Sequence, residues 1–317
     1  MGEFELIDRF FKRPAPRADL GVGDDCALLL PRPGYQTAVS TDMLVEGRHF
    51  LSTVDPQRLG HKCLAVNLSD LAACGAEPRA FLLSLALPRV DTHWLDGFSK
   101  GLFALADEHG CELIGGDTTQ GPLNISITVL GEVPQGQALL RSGARVGDDI
   151  YVSGTLGDAR LALEFLRGQL ELPTEVFNSC RRRLECPAPR LALGAALRGI
   201  ASAAADISDG LLGDLRHILK QSGVGARIEL PLTDGLLDSD WLPPPFWLRT
   251  CTLSGGDDYE LVFTASPHQH AAVQLASVLS NTAVTRIGSI TREPDLLLMD
   301  AQGQPQSEHF ASFDHFA

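Results

Sequence analysis

A short apolar run, Leu113-Ile114, ends at Gly115-Gly116, and a carboxylate and two hydroxyls follow in Asp117-Thr118-Thr119. Glycines let backbone N–H groups approach an anion with no side chain in the way. An aspartate directly behind them would repel that anion unless a cation stood between the two. The stretch therefore points to phosphate held through a metal ion, although the same residues also make an ordinary strand-ending turn. The same order recurs along the chain, in Gly21-Val22-Gly23-Asp24-Asp25, Ser40-Thr41-Asp42, Asp206-Ile207-Ser208-Asp209-Gly210 and Ser254-Gly255-Gly256-Asp257-Asp258-Tyr259-Glu260. Asn67-Leu68-Ser69-Asp70 adds an aspartate within an apolar, small-residue helical pattern, where a buried carboxylate needs a partner.

Asp25, Asp42, Asp70, Asp117, Asp206 and Asp209 form the candidate cluster, each near Gly, Ser or Thr. Oxygen-rich sites of this kind suit Mg²⁺, which takes one or two carboxylates per ion and leaves room for phosphate oxygens. What is missing narrows the reaction. GxxxxGK followed by Ser or Thr is absent, as are a protein-kinase catalytic loop and a GxSxG elbow. Metals and hydroxyls with few basic residues point to phosphoryl transfer by positioning and charge neutralisation.

The elements that must position these residues follow from periodicity. Helical spacing runs over residues 3–11, 56 to about 74, 94–108, 159–166, 191–200 and 211–221. Strand patterns cover 37–41, 80–87, 123–133, 150–152, 226–230, 261–264, 285–290 and 296–299, while residues 241–247 read as a proline-rich connector without regular structure. Pro134-Gln135-Gly136 marks a boundary. The expectation is an α+β chain of two mixed domains, residues 1–137 and 138–317.

The chain's 317 residues suffice for two cores, and 44% hydrophobic with 21% charged residues is a globular composition. A formal charge of −14 with only four lysines argues against a nucleic-acid partner. The seven cysteines form no CxxC pair, and buried free thiols are expected. No signal peptide or apolar run of membrane-spanning length is visible, so a cytoplasmic protein away from membranes is expected.

Taken in order, these motifs resemble the thiamine-monophosphate kinase family of the aminoimidazole-ribonucleotide synthetase superfamily, from Gly2-Glu3-Phe4 to Asp314-His315-Phe316. The resemblance implies ATP-dependent phosphorylation of thiamine monophosphate to thiamine diphosphate with several Mg²⁺ ions. It implies a homodimer, an N-terminal domain for ATP, magnesium and dimerisation, and a C-terminal domain completing the active-site cleft. By resemblance, Asp25, Ser40, Thr41, Asp42, Asp70, Asp117, Asp206 and Asp209 ligate metal. Among them Asp42, Asp117 and Asp209 are the catalytic carboxylates. Gly116, Asp117, Arg141 and Ser208 contact ATP, and His49, Asp257 and Phe316 contact thiamine monophosphate. The family often carries Glu in the place of Asp257, so this acid has the shorter reach.

The residues themselves leave plainer roles open. His49 alone reads as a capping histidine, Arg141 as a surface arginine, and Asp24 as serving its turn. Tyr259 and Glu260 enter a strand and suit structure as well as function. The function alternatives are another ATP-dependent synthetase of the superfamily and a non-catalytic nucleotide-binding regulator.

Overall fold

The computed structural model describes residues 1–238, 241, 243–306 and 310. The chain separates into two compact units, Met1–Leu71 with Ala76–Gly136, and Ala72–Gly75 with Gln137–Ala317.

The elements of the first unit are α1 (Glu3–Phe10), β1 (Tyr35–Val45), α2 (Pro56–Cys74), β2 (Glu77–Leu87), α3 (Thr92–His109), β3 (Glu112–Gln120) and β4 (Asn124–Pro134). The sheet order is β1-β4-β2-β3. β4 pairs antiparallel with β1 and β2, and β3 lies parallel to β2. The alternation read from the sequence places Ile125, Ile127 and Val129 fully out of solvent on one face of β4. The helices supply the matching apolar surface, including Leu59, Leu64, Leu68, Leu95, Phe98 and Leu102. α2 and α3 approach to backbone contact. A Cβ on Gly60 would stand 2.0 Å from the Phe98 carbonyl oxygen, and one on Gly101 would stand 1.7 Å from that of Gln57. At α3, Asp91 caps the first turn by accepting the His93 and Trp94 N–H groups at 3.0 and 3.1 Å.

The second unit holds β5 (Asp149–Ser153), α4 (Asp158–Leu166), α5 (Thr174–Glu185), α6 (Leu191–Ala196), β6 (Ala203–Ile207), α7 (Leu211–Ser222), β7 (Gly225–Glu229) and α8 (Leu230–Thr233). After these come α9 (Pro245–Ser254), β8 (Glu260–Ala265), α10 (His270–Leu279), β9 (Val284–Thr291), β10 (Leu296–Met299) and β11 (Pro305–Gln306). The sheet order is β11-β10-β7-β9-β5-β8-β6. Every residue of β6 and β8 is buried, as befits strands covered on both faces. Ile150, Val152, Ile207, Leu215, Ile218, Ile228, Val262 and Ile287 form the core against α7. Cys180 and Cys251 sit in a second apolar cluster with α4, as buried free thiols.

Three local expectations change. The glycines of 115–116 do not end a strand; they lie within β3, opposite Leu82 and Leu83, just after a register shift between Phe81 and Leu82. The region around residue 247 holds a helix, because Pro245 occupies the first turn, where its missing N–H costs nothing. Residues 174–185, outside the helical spacings read from the sequence, are also helical, in α5, with Arg182 exposed, Arg181 and Arg183 half-buried, and Cys180 and Leu184 buried.

Candidate functional site

In the first unit, β1 carries Ser40, Thr41 and Asp42 in succession, so the strand's two-residue period sends Ser40 and Asp42 to one face and Thr41 to the other. The Ser40 hydroxyl donates to the Asp70 carboxylate of α2 at 2.5 Å. One residue pair along, the Asp42 N–H donates to Asn67 Oδ1 at 3.0 Å, and Asn67 is held in turn by the Cys63 carbonyl at 2.9 Å. Asp70 thus has the partner that a half-buried carboxylate on an apolar helix requires. The Thr41 hydroxyl is engaged across β4, donating to the Ile127 carbonyl and accepting from Thr128, both at 3.0 Å. The structure brings Ser40, Asp42 and Asp70 to one face and sets the Thr41 side chain apart.

A cavity of about 1070 Å³ in the same unit is lined by Gly23, Asp25, Gly116, Asp117 and Lys12 of the stretch after α1. The Asp25 N–H donates to Asp24 Oδ1 at 2.8 Å, so Asp24 serves the turn. Gly116 has φ +147°, and a Cβ there would fall 1.8 Å from the Leu83 carbonyl oxygen; only glycine lets β3 lie so close to β2. His49 accepts the Val45 N–H through Nδ1 at 3.0 Å, which makes Nε2 the protonated nitrogen of the neutral ring.

In the second unit, Asp206 is buried at the end of β6, and the chain leaves it through Ile207-Ser208-Asp209 into α7. Asp214 Oδ2 accepts the N–H groups of both Ser208 and Asp209 at 3.0 Å. Burial pushes the Asp214 carboxyl up to about 7; those two N–H groups and the charge of Arg141 pull the other way. Arg141, an exposed arginine, therefore stands within electrostatic reach of this loop.

The segment 255–259 is fastened to the same loop. Asp257 N–H donates to the Ser208 carbonyl and Tyr259 N–H to the Ile207 carbonyl, each at 2.9 Å. A Cβ on Gly256 would lie 2.4 Å from the Ser208 oxygen. Asp257 and Tyr259 both take positive φ, 66° and 53°, at a cost of about 1–3 kcal/mol each for non-glycine residues. Between them Asp258 is buried, accepting the Gly157 N–H with both carboxylate oxygens at 3.1 Å. Glu260, also fully buried, is paired with Arg183 at 2.9 Å and Arg190 at 2.6 Å and accepts from Ser153 at 2.6 Å, so it is a structural ion-pair centre.

The donors are all oxygen, which suits magnesium. Among the described residues, no three His, Cys, Asp or Glu side chains stand close enough to cage a metal ion by themselves. Of the six aspartates, Asp25, Asp42, Asp70 and Asp117 belong to the first unit and Asp206 and Asp209 to the second. Phosphate oxygens complete the coordination of Mg²⁺ in such sites. Phe316 lies outside the described residues. Sequence reasoning missed Asp214 and Asn67 as supporting groups. The signal for Asp214 was present, a second acid in the first turn of the helix after Asp209.

Both mixed units match the AIR synthase related protein family: its N-terminal domain covers residues 23–133 and its C-terminal domain residues 145–299. The chain is 45% identical over 328 residues to the thiamine-monophosphate kinase of Salmonella typhimurium, spanning 100% of this chain and 98% of that one. The thiamine-monophosphate kinase structure from Stenotrophomonas maltophilia K279a superposes with a TM-score of 0.84 at 43% identity, covering 96% of both chains. AaThiL, solved in complex with AMPPCP and TMP, gives a TM-score of 0.77 at 29% identity over 90% of this chain and 89% of that one. The chain belongs to the thiamine-monophosphate kinase family.

Proposed function

We infer that this chain transfers the terminal phosphoryl group of ATP to thiamine monophosphate, giving thiamine diphosphate, directly and in line with the help of several Mg²⁺ ions. Membership of the kinase family and the AaThiL complex with AMPPCP and TMP support both substrates. The single structural observation that carries the reading is that Asp25 and the Gly116-Asp117 pair line one cavity of nucleotide scale. Backbone close to a phosphate, with carboxylates beside it, is a productive arrangement only when a cation accompanies the anion.

The substrate phosphate is largely dianionic near neutral pH, its second pKa being about 6. Its oxygen is already a nucleophile, so neither a general base nor a covalent enzyme intermediate is needed. What remains is to hold two anions together. Asp25, Asp42, Asp70 and Asp117, with the Ser40 hydroxyl, would hold magnesium in the first unit; Asp206 and Asp209 would do so in the second. Thr41, its hydroxyl engaged across β4, would contribute through its main chain. When bound, the ions neutralise phosphate charge and stabilise the loose transition state. Gly116, Ser208 and Arg141 would contact ATP, Asp257 would face the thiazolium cation of the substrate, and His49 would also contact thiamine monophosphate.

We place the reaction in the cytoplasm and in a homodimer joined along the edge strand β1, where Val39 and Met43 are exposed. No helix among the described residues is long and apolar enough to cross a membrane.

The test is a product assay with ATP and thiamine monophosphate, with and without Mg²⁺. Thiamine diphosphate formed only when all three are present upholds the reading. ATP binding without product, or turnover only with an amide or carbamoyl acceptor, overturns it.

A further inference from the structure

We propose that Tyr259 is a positioning residue for the acceptor substrate: its hydroxyl holds the Asp257 carboxylate where it meets the thiazolium cation of thiamine monophosphate. The inference rests on the reading of Asp257 given above.

The Tyr259 hydroxyl donates to Asp257 Oδ1 at 3.3 Å, within one short loop. Both residues are held in the left-handed region, φ 66° and 53°, where a tyrosine is rare. Such strain persists only where the surroundings over-determine it, and here they do. The Tyr259 amide is fixed to the carbonyl of Ile207, the last residue of β6, and the Asp257 amide to that of Ser208 just after it, while the buried Asp258 between them is anchored to the Gly157 amide. Gly256 meets the Ser208 carbonyl so closely that no Cβ fits.

The consequence is geometric. A relaxed, extended backbone would carry residues 257 and 259 on the same face with nothing to fix the acid's torsions. The left-handed pair, fastened on both sides, lets the phenol close on the carboxylate two residues earlier. One carboxylate oxygen is then committed to Tyr259, and the orientation of the other is set before substrate arrives. Preorganisation of this kind lowers the ordering cost of binding and does not touch the transferred phosphoryl group. It acts on recognition of the acceptor and leaves ATP alone.

Steady-state constants for both substrates, measured on wild type, Tyr259→Phe, Asp257→Asn and the double variant, test the proposal. Tyr259→Phe is expected to raise KM for thiamine monophosphate about tenfold, the lower end of what one hydrogen bond to a charged acceptor is worth, with KM for ATP within about twofold. Added to Asp257→Asn, it is expected to have no further effect, because the carboxylate it positions is already gone. An increase in both KM values together, or multiplicative effects in the double variant, would mark Tyr259 as a general structural residue and overturn the proposal. An active wild type with Tyr259→Phe unchanged overturns the proposal alone. A wild type that makes no thiamine diphosphate overturns the functional reading as well.

Discussion

Asp214 holds Ser208 by its main chain: the buried carboxylate accepts the Ser208 N–H at 3.0 Å and, through the same oxygen, the N–H of Asp209. The Ser208 carbonyl is taken by the Asp257 N–H at 2.9 Å. One peptide thus joins a helix acid, the candidate nucleotide loop and the candidate acceptor loop, and the geometry of all three depends on it.

Asp214→Ala is expected to leave two N–H groups without their acceptor, at a cost of about 1–3 kcal/mol for each that stays buried. KM for ATP should rise and thermal stability should fall. Asp214→Asn keeps one acceptor oxygen and should fall between wild type and the alanine variant. Equal kinetics for both variants and wild type would show that the loop keeps its shape without Asp214.

Much of the fold was legible because burial wrote its period into the sequence. The alternation of β4 and the helical spacing of α3 read directly as one-sided surfaces, and the spacing of α2 as a helix, one that proves buried on nearly every side. The helices α5 and α9 were not legible, since three consecutive arginines interrupt the apolar spacing of α5 and a run of prolines leads into α9. The glycines of 115–116 suggested a chain turn, yet they serve a close approach of β3 to β2, a tertiary fact no local pattern carries. Among the site residues, the Ser40 and Asp70 pair joins positions thirty residues apart. The sequence demanded a partner for Asp70 without naming it. Asp214 escaped notice because its work is done on backbone amides, which a sequence does not display.

Asp42→Asn and Asp117→Asn are expected to abolish turnover while leaving the fold intact. Each replaces a charge on a partly or fully exposed side chain, so neither uncovers a buried charge. Product assays over a range of Mg²⁺ concentrations, alongside circular dichroism, check both halves. Rates like those of wild type in both variants would remove these carboxylates from the metal site.

Gly116→Ala should be far more damaging than its single methyl suggests. The added Cβ would meet the Leu83 carbonyl at 1.8 Å, and φ +147° is unfavourable for any other residue. Relief requires β3 to move away from β2, carrying Asp117 with it. A loss of about 1–3 kcal/mol in urea unfolding, accompanied by loss of ATP binding, is expected. A stable variant that still binds ATP would show that β3 relaxes without moving the site.

Asp258 gives a pH signature. The residue is 3% exposed, and burial pushes its pKa well above the ordinary 3.8, against the opposing pull of the Gly157 N–H and Arg183. A carboxyl raised in the folded state keeps its proton there after the unfolded chain has lost it. Between 3.8 and the raised value, the native state therefore binds more protons, and stability falls as pH rises through that window. Below it both states are protonated and the contribution is flat. Asp258→Asn keeps a neutral acceptor at every pH, so its stability relative to wild type should grow as pH rises from about 4 toward neutrality. Urea midpoints measured at several pH values read this directly. A constant offset between the two proteins would mean that Asp258 ionises alike in both states, held charged by Arg183 despite its burial.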